Sequence, residues 1–296
     1  MSSAEFDFLN WLNAQHRPAA NIVVPPGDDL AAISWPAGEL LLVGVDQVLD
    51  GVHFDSAIHT PRQIGRKVMN RNLSDCAAMA CLPAAAVTTA ALPKGVGLDY
   101  AKDLYLGLRD AADPFDFPII GGDTASWNGR LVLTVTILGR SAGITPITRS
   151  GAKVGDDIYV TGPLGGSILG RNMIFEPRVK LGRELAATGN VHAMIDISDG
   201  LSRDLEHICQ LSQVGAEIDA VSIPIHGDAH KMNDNLSPLD HALNDGEDHE
   251  LLFAGQLKAL PPGVVRIGRI VGGSQIKILD KNGSRPLVAG GWEHTL

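Results

Sequence analysis

An apolar strand runs directly into a helix at residues 193–208, which read Ala-Met-Ile-Asp-Ile-Ser-Asp-Gly-Leu-Ser-Arg-Asp-Leu-Glu-His-Ile. The apolar run 193–197 predicts a buried strand, and Leu201, Leu205 and Ile208 then recur at helical spacing. Gly200 eases the turn between the two elements. Strands and helices alternate in this way in both halves of the chain, so the predicted fold class is α/β or α+β.

The same patterns predict two domains. In the first half we expect a strand at 39–45 that runs into Asp46, a helix from Pro61 to about residue 80, and a strand at 117–120. Residues 148–155 are polar and contain glycine, and they interrupt the pattern. We therefore predict domains at 1–148 and 149–296. We also expect residues 226–240 to form a loop.

Composition limits the function classes. The chain has 296 residues, of which 45% are hydrophobic and 20% charged, so it can bury a full core. Its net charge of −10 argues against nucleic acid or an anionic membrane as a partner. No signal peptide is visible, and no apolar run is long enough to span a bilayer. The three cysteines form no C-x-x-C motif, so we expect reduced thiols and a cytoplasmic protein.

Acidic residues recur at predicted strand ends and turns with few cations nearby. They stand in Gly27-Asp28-Asp29, Val45-Asp46-Gln47, Asn72-Leu73-Ser74-Asp75, Gly121-Gly122-Asp123-Thr124 and Asp196-Ile197-Ser198-Asp199-Gly200. Carboxylates that lie together repel one another, and a divalent cation relieves that repulsion. Oxygen ligands from several aspartates suit Mg²⁺, which also binds phosphate. Because no G-x-x-x-x-G-K-[ST] motif occurs, these residues predict Mg²⁺-dependent phosphoryl transfer from ATP without a P-loop.

Each of these residues also has a structural interpretation. Asp75 falls near the core-facing stripe of its helix, where a carboxylate needs a partner, although it could be an ordinary polar residue near the helix end. Ser198 or Asp199 could simply cap the following helix. The Gly-Gly-Asp turn could be steric in origin. Arg149 is a candidate phosphate ligand or a solvated cation, and His53 a candidate site residue or a structural histidine.

In one order along nearly the whole chain, these motifs resemble the thiamine-monophosphate kinase family, within the superfamily of aminoimidazole ribonucleotide synthetase and selenophosphate synthetase. Besides the acidic turns, the resemblance rests on Gly51-Val52-His53-Phe54, Arg149-Ser150-Gly151-Ala152, Gly246-Glu247-Asp248-His249-Glu250 and Gly291-Trp292. It implies an enzyme that phosphorylates thiamine monophosphate with ATP to give thiamine diphosphate. It also implies an N-terminal domain that dimerises through a β-barrel-like sheet, and a C-terminal α/β sandwich domain.

The resemblance assigns roles residue by residue. It implies that Mg²⁺ is held by six aspartates: Asp29, Asp46, Asp75, Asp123, Asp196 and Asp199. ATP would contact Gly122, Asp123, Arg149 and Ser198. The thiamine end would contact His53, Glu247 and Trp292. Because the acceptor phosphate is already anionic, no residue is expected to act as a general base.

The sequence also departs from the family pattern. Gly44-Val45 replaces a Ser-Thr pair before Asp46, Gly166 replaces an aspartate, His249 replaces a tyrosine, and Ala125 replaces a threonine. The segment from Gly166 to Pro177 is shorter than usual. These departures leave two alternatives: a superfamily enzyme with another phosphate or amide acceptor, and a non-catalytic nucleotide-binding protein.

Overall fold

The computed structural model describes residues 4–15, 19–25 and 30–292. These residues form two compact units. The first comprises the described residues of Met1–Leu73 and Cys81–Gly143, and the second comprises Ser74–Ala80 with the described residues of Ile144–Leu296. The predicted domain boundary at 148/149 stays a prediction.

The first unit is a four-stranded sheet with helices and a small hairpin. Its helices are α1 (Ala4–Gln15), α2 (Pro61–Ala78, of which 74–78 belong to the second unit) and α3 (Gly97–Ala112). Its strands are β1 (Ile22–Val24), β2 (Ala32–Ile33), β3 (Leu41–Leu49), β4 (Leu82–Pro93), β5 (Ile119–Trp127) and β6 (Val132–Arg140). Strands β1 and β2 pair with each other, and the main sheet has the order β3-β6-β4-β5. Strands β4 and β5 pair in parallel, and helix α3 connects them. A parallel pair requires a crossover connection of this kind.

The two faces of this sheet differ. On β6, Leu133, Val135 and Ile137 are buried, and the residues between them are half-buried. On β3 the side chains alternate, so that Leu41, Val43 and Val45 are at least half exposed. Because paired residues on neighbouring strands share a face, these three lie opposite to the buried face. The first unit therefore presents an exposed apolar strand on one face of its sheet.

The second unit is built on a seven-stranded mixed sheet. Its strands are β7 (Asp157–Val160), β8 (Val191–Asp196), β9 (Gly215–Asp219), β10 (Leu251–Gly255), β11 (Val265–Val271), β12 (Ile276–Asp280) and β13 (Gly283–Pro286). Their order is β13-β12-β9-β11-β7-β10-β8, with one parallel pair, β12–β9. Its helices are α4 (Val179–Ala187), α5 (Leu201–Ser212) and α6 (Pro238–Asn244). Leu201, Leu205 and Ile208 of α5 pack into the core of this sheet, as their spacing predicted.

Two predicted turns are wrong. Strand β3 continues through Asp46 to Leu49, because it pairs with β6 along its whole length. Gly121 to Thr124 lie inside β5 and not after it, because they pair with β4 as far as Trp127. Residues 226–240 are also not wholly a loop, since α6 begins at Pro238. No helix among the described residues is long and apolar enough to cross a membrane.

Candidate active site

Asp196 is the last residue of β8, and its carboxylate is buried in the second unit. Ser74 Oγ donates a hydrogen bond of 2.6 Å to Asp196 Oδ2, and His249 Nδ1 lies 3.3 Å from the same oxygen. Both partners are themselves buried. A strand end thus presents an acidic side chain whose orientation is fixed by two polar groups.

The turn after β8 is held by a residue further along the helix. Gly200 occupies the N-cap position of α5, and no side chain caps it. Instead, Asp204 Oδ2 accepts hydrogen bonds of 3.1 Å from the backbone N–H groups of Asp199 and Gly200. The interpretation of Ser198 or Asp199 as a helix cap is therefore wrong. Their side chains remain available for another task.

A strained acidic loop packs against this turn. The N–H of Glu247 donates to the carbonyl of Ser198 at 2.7 Å, and the N–H of His249 donates to that of Ile197 at 2.8 Å. Glu247 and His249 have φ angles of 50° and 51°, in the left-handed region that residues with side chains rarely adopt. Such backbone strain is typical of binding and catalytic segments.

The C-terminal segment of the described chain reaches the same place. The N–H of Trp292 donates to the carbonyl of Asp199 at 3.1 Å, and the indole is about half exposed. The second unit thus brings together five predicted site residues, which are Asp196, Ser198, Asp199, Glu247 and Trp292.

Two further predicted residues of the second unit lie close by in the chain. Asp75 is adjacent to Ser74 in the last turns of α2 and is half-buried, so it is more exposed than its position on the core stripe predicted. Arg149 is exposed. Its neighbour Thr148 accepts a backbone hydrogen bond from Met194 at 3.0 Å, which places Arg149 beside β8.

The charges around the turn fit a cation. Burial and then the negative charges of Asp196 and Asp199 raise the pKa of Asp204 to about 8. Ligand atoms of Asp199, Asp204 and His207 lie within 4.8 Å of one another. Carboxylate oxygens of this kind suit Mg²⁺. The carboxylates of Asp199 and Asp204 therefore fit the predicted metal. Asp196 lies near enough for its charge to act on Asp204.

The predicted residues of the first unit are more dispersed. Asp46 on β3 lies 3.4 Å from the guanidinium of Arg71. Asp123 on β5 is exposed, and its carboxylate accepts from the N–H of Thr124 at 2.9 Å. Two strands separate β3 from β5, so about 14 Å lies between them. Their pairings also place Asp46 and Asp123 on opposite faces of the sheet. Within this unit the two aspartates are not brought together.

The remaining residues of the first unit have local roles. His53 Nδ1 accepts from the N–H of Leu49 at 3.1 Å, as a structural histidine would. A Cβ added to Gly122 would stand 2.0 Å from the carbonyl oxygen of Thr88, so sheet packing alone requires glycine there. Asp29 lies outside the described residues.

A cavity of about 880 Å³ opens in the first unit. Apolar side chains of α1 and α3, such as Leu12 and Leu104, line it together with residues 121–126 of β5. Gly122 and Asp123, both predicted to contact ATP, are part of this lining. Its size and apolar walls are typical of small-molecule sites.

Comparison with known proteins identifies the family. Residues 27–141 match the AIR synthase related protein, N-terminal domain, and residues 153–256 match the corresponding C-terminal domain. The chain is 41% identical over 285 residues to the thiamine-monophosphate kinase of Rhodopirellula baltica, with 90% of each chain covered. The chain belongs to the thiamine-monophosphate kinase family.

Solved structures of this family have the same fold. The thiamine-monophosphate kinase of Stenotrophomonas maltophilia K279a superimposes with a TM-score of 0.80 at 32% identity, covering 94% of this chain and 96% of that one. A structure described as AaThiL complexed with AMPPCP and TMP gives 0.79 at 25% identity, covering 100% and 99%. These matches confirm the predicted family, the fold class and the predicted kinase activity.

The sequence did not reveal which residues hold the acidic loop of this kinase. Arg171 donates to Asp248 at 2.8 Å, and Asn172 donates to Glu247 Oε2 at 2.6 Å. Arg178 forms two hydrogen bonds with the carboxylate of Glu250. Burial raises the pKa of Asp248 to about 6, against the lowering effect of Arg171. All three donors come from the shortened segment and its end, and only that shortening signalled them.

Proposed function

We propose that this protein transfers the γ-phosphoryl group of ATP to the phosphate of thiamine monophosphate, giving thiamine diphosphate and ADP. The observation that carries this proposal is the buried Asp196 at the end of β8, fixed by Ser74 and joined by the 197–200 turn to Glu247 and Trp292. These elements stand in a chain that is 41% identical to a thiamine-monophosphate kinase over most of its length.

The transfer requires alignment and charge neutralisation more than covalent help. An oxygen of the acceptor phosphate attacks the γ-phosphorus, and the bond from that phosphorus to the bridging oxygen of ADP breaks in line with it. When bound, Mg²⁺ would supply positive charge that neutralises the phosphate oxygens of the substrates. We assign Asp75, Asp196 and Asp199 of the second unit to hold Mg²⁺. Asp29, Asp46 and Asp123 of the first unit are also assigned to Mg²⁺, and Asp46 and Asp123 would hold separate ions because they lie on opposite faces of their sheet. No general base is needed, since the attacking oxygen is already anionic.

Each unit carries residues that we assign to the substrates. In the first unit, Gly122 and Asp123, in the lining of the cavity, would contact ATP, and His53 would contact thiamine. In the second unit, Arg149 and Ser198 would contact ATP, and the half-exposed Trp292 would stack on the cationic heterocycle of thiamine beside Glu247. Because Asn172 donates to Glu247, the carboxylate is held in one orientation.

We also propose that the enzyme is a cytoplasmic homodimer. The exposed face of β3 carries Leu41, Val43 and Val45, and an apolar face of this kind indicates a protein interface. A second copy of the chain would cover this face. Val43→Asp would prevent dimerisation, because the aspartate charge would be buried in the interface. Light scattering should give twice the chain mass for the wild type and a monomer for the variant. A monomeric wild type would contradict the homodimer. The three cysteines are buried and form no disulfide within the described residues, which fits a reducing compartment.

The reaction is tested by chromatography of thiamine diphosphate after incubation of the purified protein with ATP, Mg²⁺ and thiamine monophosphate. Thiamine alone and a sample without enzyme are the controls. We expect product from the monophosphate only. Titration calorimetry with Mg²⁺-ATP runs beside it. Nucleotide binding without product would move the assignment to another acceptor, and absence of both would contradict the proposal entirely.

A further inference from the structure

His249 is buried against two different groups. Its ring stacks on Phe175, with 4.0 Å between ring centroids and 15° between ring planes. Its Nδ1 lies 3.3 Å from Asp196 Oδ2. His249 is only 2% exposed, so both contacts are made away from solvent.

The ring and the carboxylate are close enough to form a hydrogen bond. A carboxylate oxygen accepts, so His249 donates to Asp196 in the tautomer that carries its proton on Nδ1. Nε2 is buried and has no hydrogen-bond partner among the described residues. The distance of 3.3 Å is at the long end of the normal range, whereas Ser74 donates to the same oxygen at 2.6 Å. His249 is therefore the weaker of two donors that orient one carboxylate oxygen.

The backbone at this position favours histidine over a bulkier ring. At a φ of 51°, His249 is in the left-handed region, where histidine is enriched among residues with side chains. Phe175, on which the ring stacks, is itself buried.

We propose that His249 is a positioning residue that holds the Asp196 carboxylate for Mg²⁺, with Phe175 fixing the plane of its ring. The proposal rests on the proposed function in one respect, that Asp196 is a metal ligand. Partners that orient a metal ligand contribute about 10- to 100-fold to metal affinity or activity. Because Ser74 remains in place, we expect His249 to contribute at the lower end of that range.

Two substitutions separate the donor from the ring. His249→Phe keeps an aromatic ring against Phe175 and removes the donor, and His249→Asn keeps a donor near the position of Nδ1 and removes the ring. Mn²⁺ is titrated into each protein at saturating non-hydrolysable ATP analogue, and free Mn²⁺ is measured by electron paramagnetic resonance. We expect His249→Phe to raise the apparent dissociation constant about tenfold. His249→Asn should stay within about threefold of wild type.

The kinetic signature is a change in metal dependence. In His249→Phe the Mg²⁺ concentration for half-maximal rate should rise by a similar factor, while the KM for thiamine monophosphate at saturating Mg²⁺ stays at the wild-type value. A merely structural role would lower the thermal midpoint and leave the Mg²⁺ dependence unchanged. Wild-type Mn²⁺ affinity in His249→Phe would overturn the proposal, as would a loss in His249→Asn equal to that in His249→Phe.

Asp196→Asn distinguishes the premise from the inference. If this variant binds Mn²⁺ as tightly as wild type, Asp196 is not a ligand, and the proposal for His249 falls with that assignment. If Asp196→Asn loses Mn²⁺ and His249→Phe does not, only the role of His249 is wrong. Formation of thiamine diphosphate by the wild type tests the reaction separately from both.

Discussion

The two units hold their acidic residues in different ways. In the second unit, Asp196 accepts from Ser74, Asp248 from Arg171, and Glu250 from Arg178, all within one connected region. In the first unit, Asp46 and Asp123 lie on strands of one sheet, separated by two others and on opposite faces. The second unit therefore has a connected acidic region whose side chains are already oriented, whereas the carboxylates of Asp46 and Asp123 in the first unit are separate.

The largest effect is expected from Asp75→Asn in the second unit. Asparagine keeps the shape of the side chain and removes the charge that would hold Mg²⁺, which is worth several kcal/mol in the transition state. We expect kcat/KM to fall by about a thousandfold or more, with the thermal midpoint unchanged because Asp75 is only half-buried. A coupled assay for ADP measures the rate.

The matched control for Asp75→Asn is Asp103→Asn, an exposed aspartate of α3 that has no assigned role. It should retain wild-type activity. Near-normal turnover in Asp75→Asn would remove Asp75 from the site and leave Asp196 and Asp199 as the metal ligands of this unit.

The buried ion pairs of the acidic loop supply the next largest effect. The side chain of Asp248 is almost fully buried, and that of Arg171 is 19% exposed. Among the residues that the structure describes, Arg171→Met would leave the buried carboxylate with the N–H of Gly165 as its hydrogen-bond donor. Breaking such a pair costs about 3 kcal/mol of unfolding free energy. Urea denaturation at neutral pH should show this loss.

The loss from Arg171→Met should depend on pH. Burial has already raised the folded-state pKa of Asp248 to about 6, above its unfolded value, so the wild type loses stability from this group as the pH rises toward 6. Without Arg171, which lowers that pKa, the variant continues to lose stability at higher pH. The difference between the two proteins should therefore be small near pH 4 and should widen above pH 6. A constant difference would mean that Arg171 acts through packing.

The contrast between the units also shows what sequence reasoning can reach. The position of Asp196 at the end of a buried strand was predictable, because an apolar run leads into it. Its role as a metal ligand stays a prediction. Asp46 and Asp123 were misplaced in turns, since only pairing with β6 and β4 reveals that the strands continue through them. Arg171 and Arg178 form hydrogen bonds with residues more than 70 positions away in the sequence. No local sequence pattern indicates such partners.

Helix α6 was not predicted, for a different reason. Ser237, Pro238 and Asp240 form a capping box with proline at the first turn, and that signal was present in the sequence. The helix was missed because the surrounding residues are polar. The alternation of strands and helices was sufficient for the fold class, while the network around the acidic loop depended on long-range contacts.

A smaller effect is expected in the first unit from Gly122→Ala. The added Cβ would meet the backbone carbonyl of Thr88 at 2.0 Å, and backbone in a paired strand cannot move aside cheaply. We expect a loss of about 2 kcal/mol in unfolding free energy. Gly121→Ala is the matched control, because its Cβ would stand 3.3 Å from Val87 Cγ1, a side-chain atom that can shift. If Gly122→Ala instead lowers ATP affinity and leaves stability unchanged, the glycine serves the nucleotide and not the sheet.

The smallest effect is expected from Arg62→Met, which repeats the Arg171 substitution at a surface pair of the first unit. Arg62 donates to Asp110 at 2.8 Å, yet its side chain is 54% exposed and that of Asp110 is 37% exposed. Water and salt screen such a pair, so the urea midpoint of Arg62→Met should match that of the wild type. An equal loss in Arg62→Met and Arg171→Met would contradict the distinction between the units. It would mean that both arginines stabilise the protein through packing of their aliphatic stems. The burial of Asp248 would then make no difference.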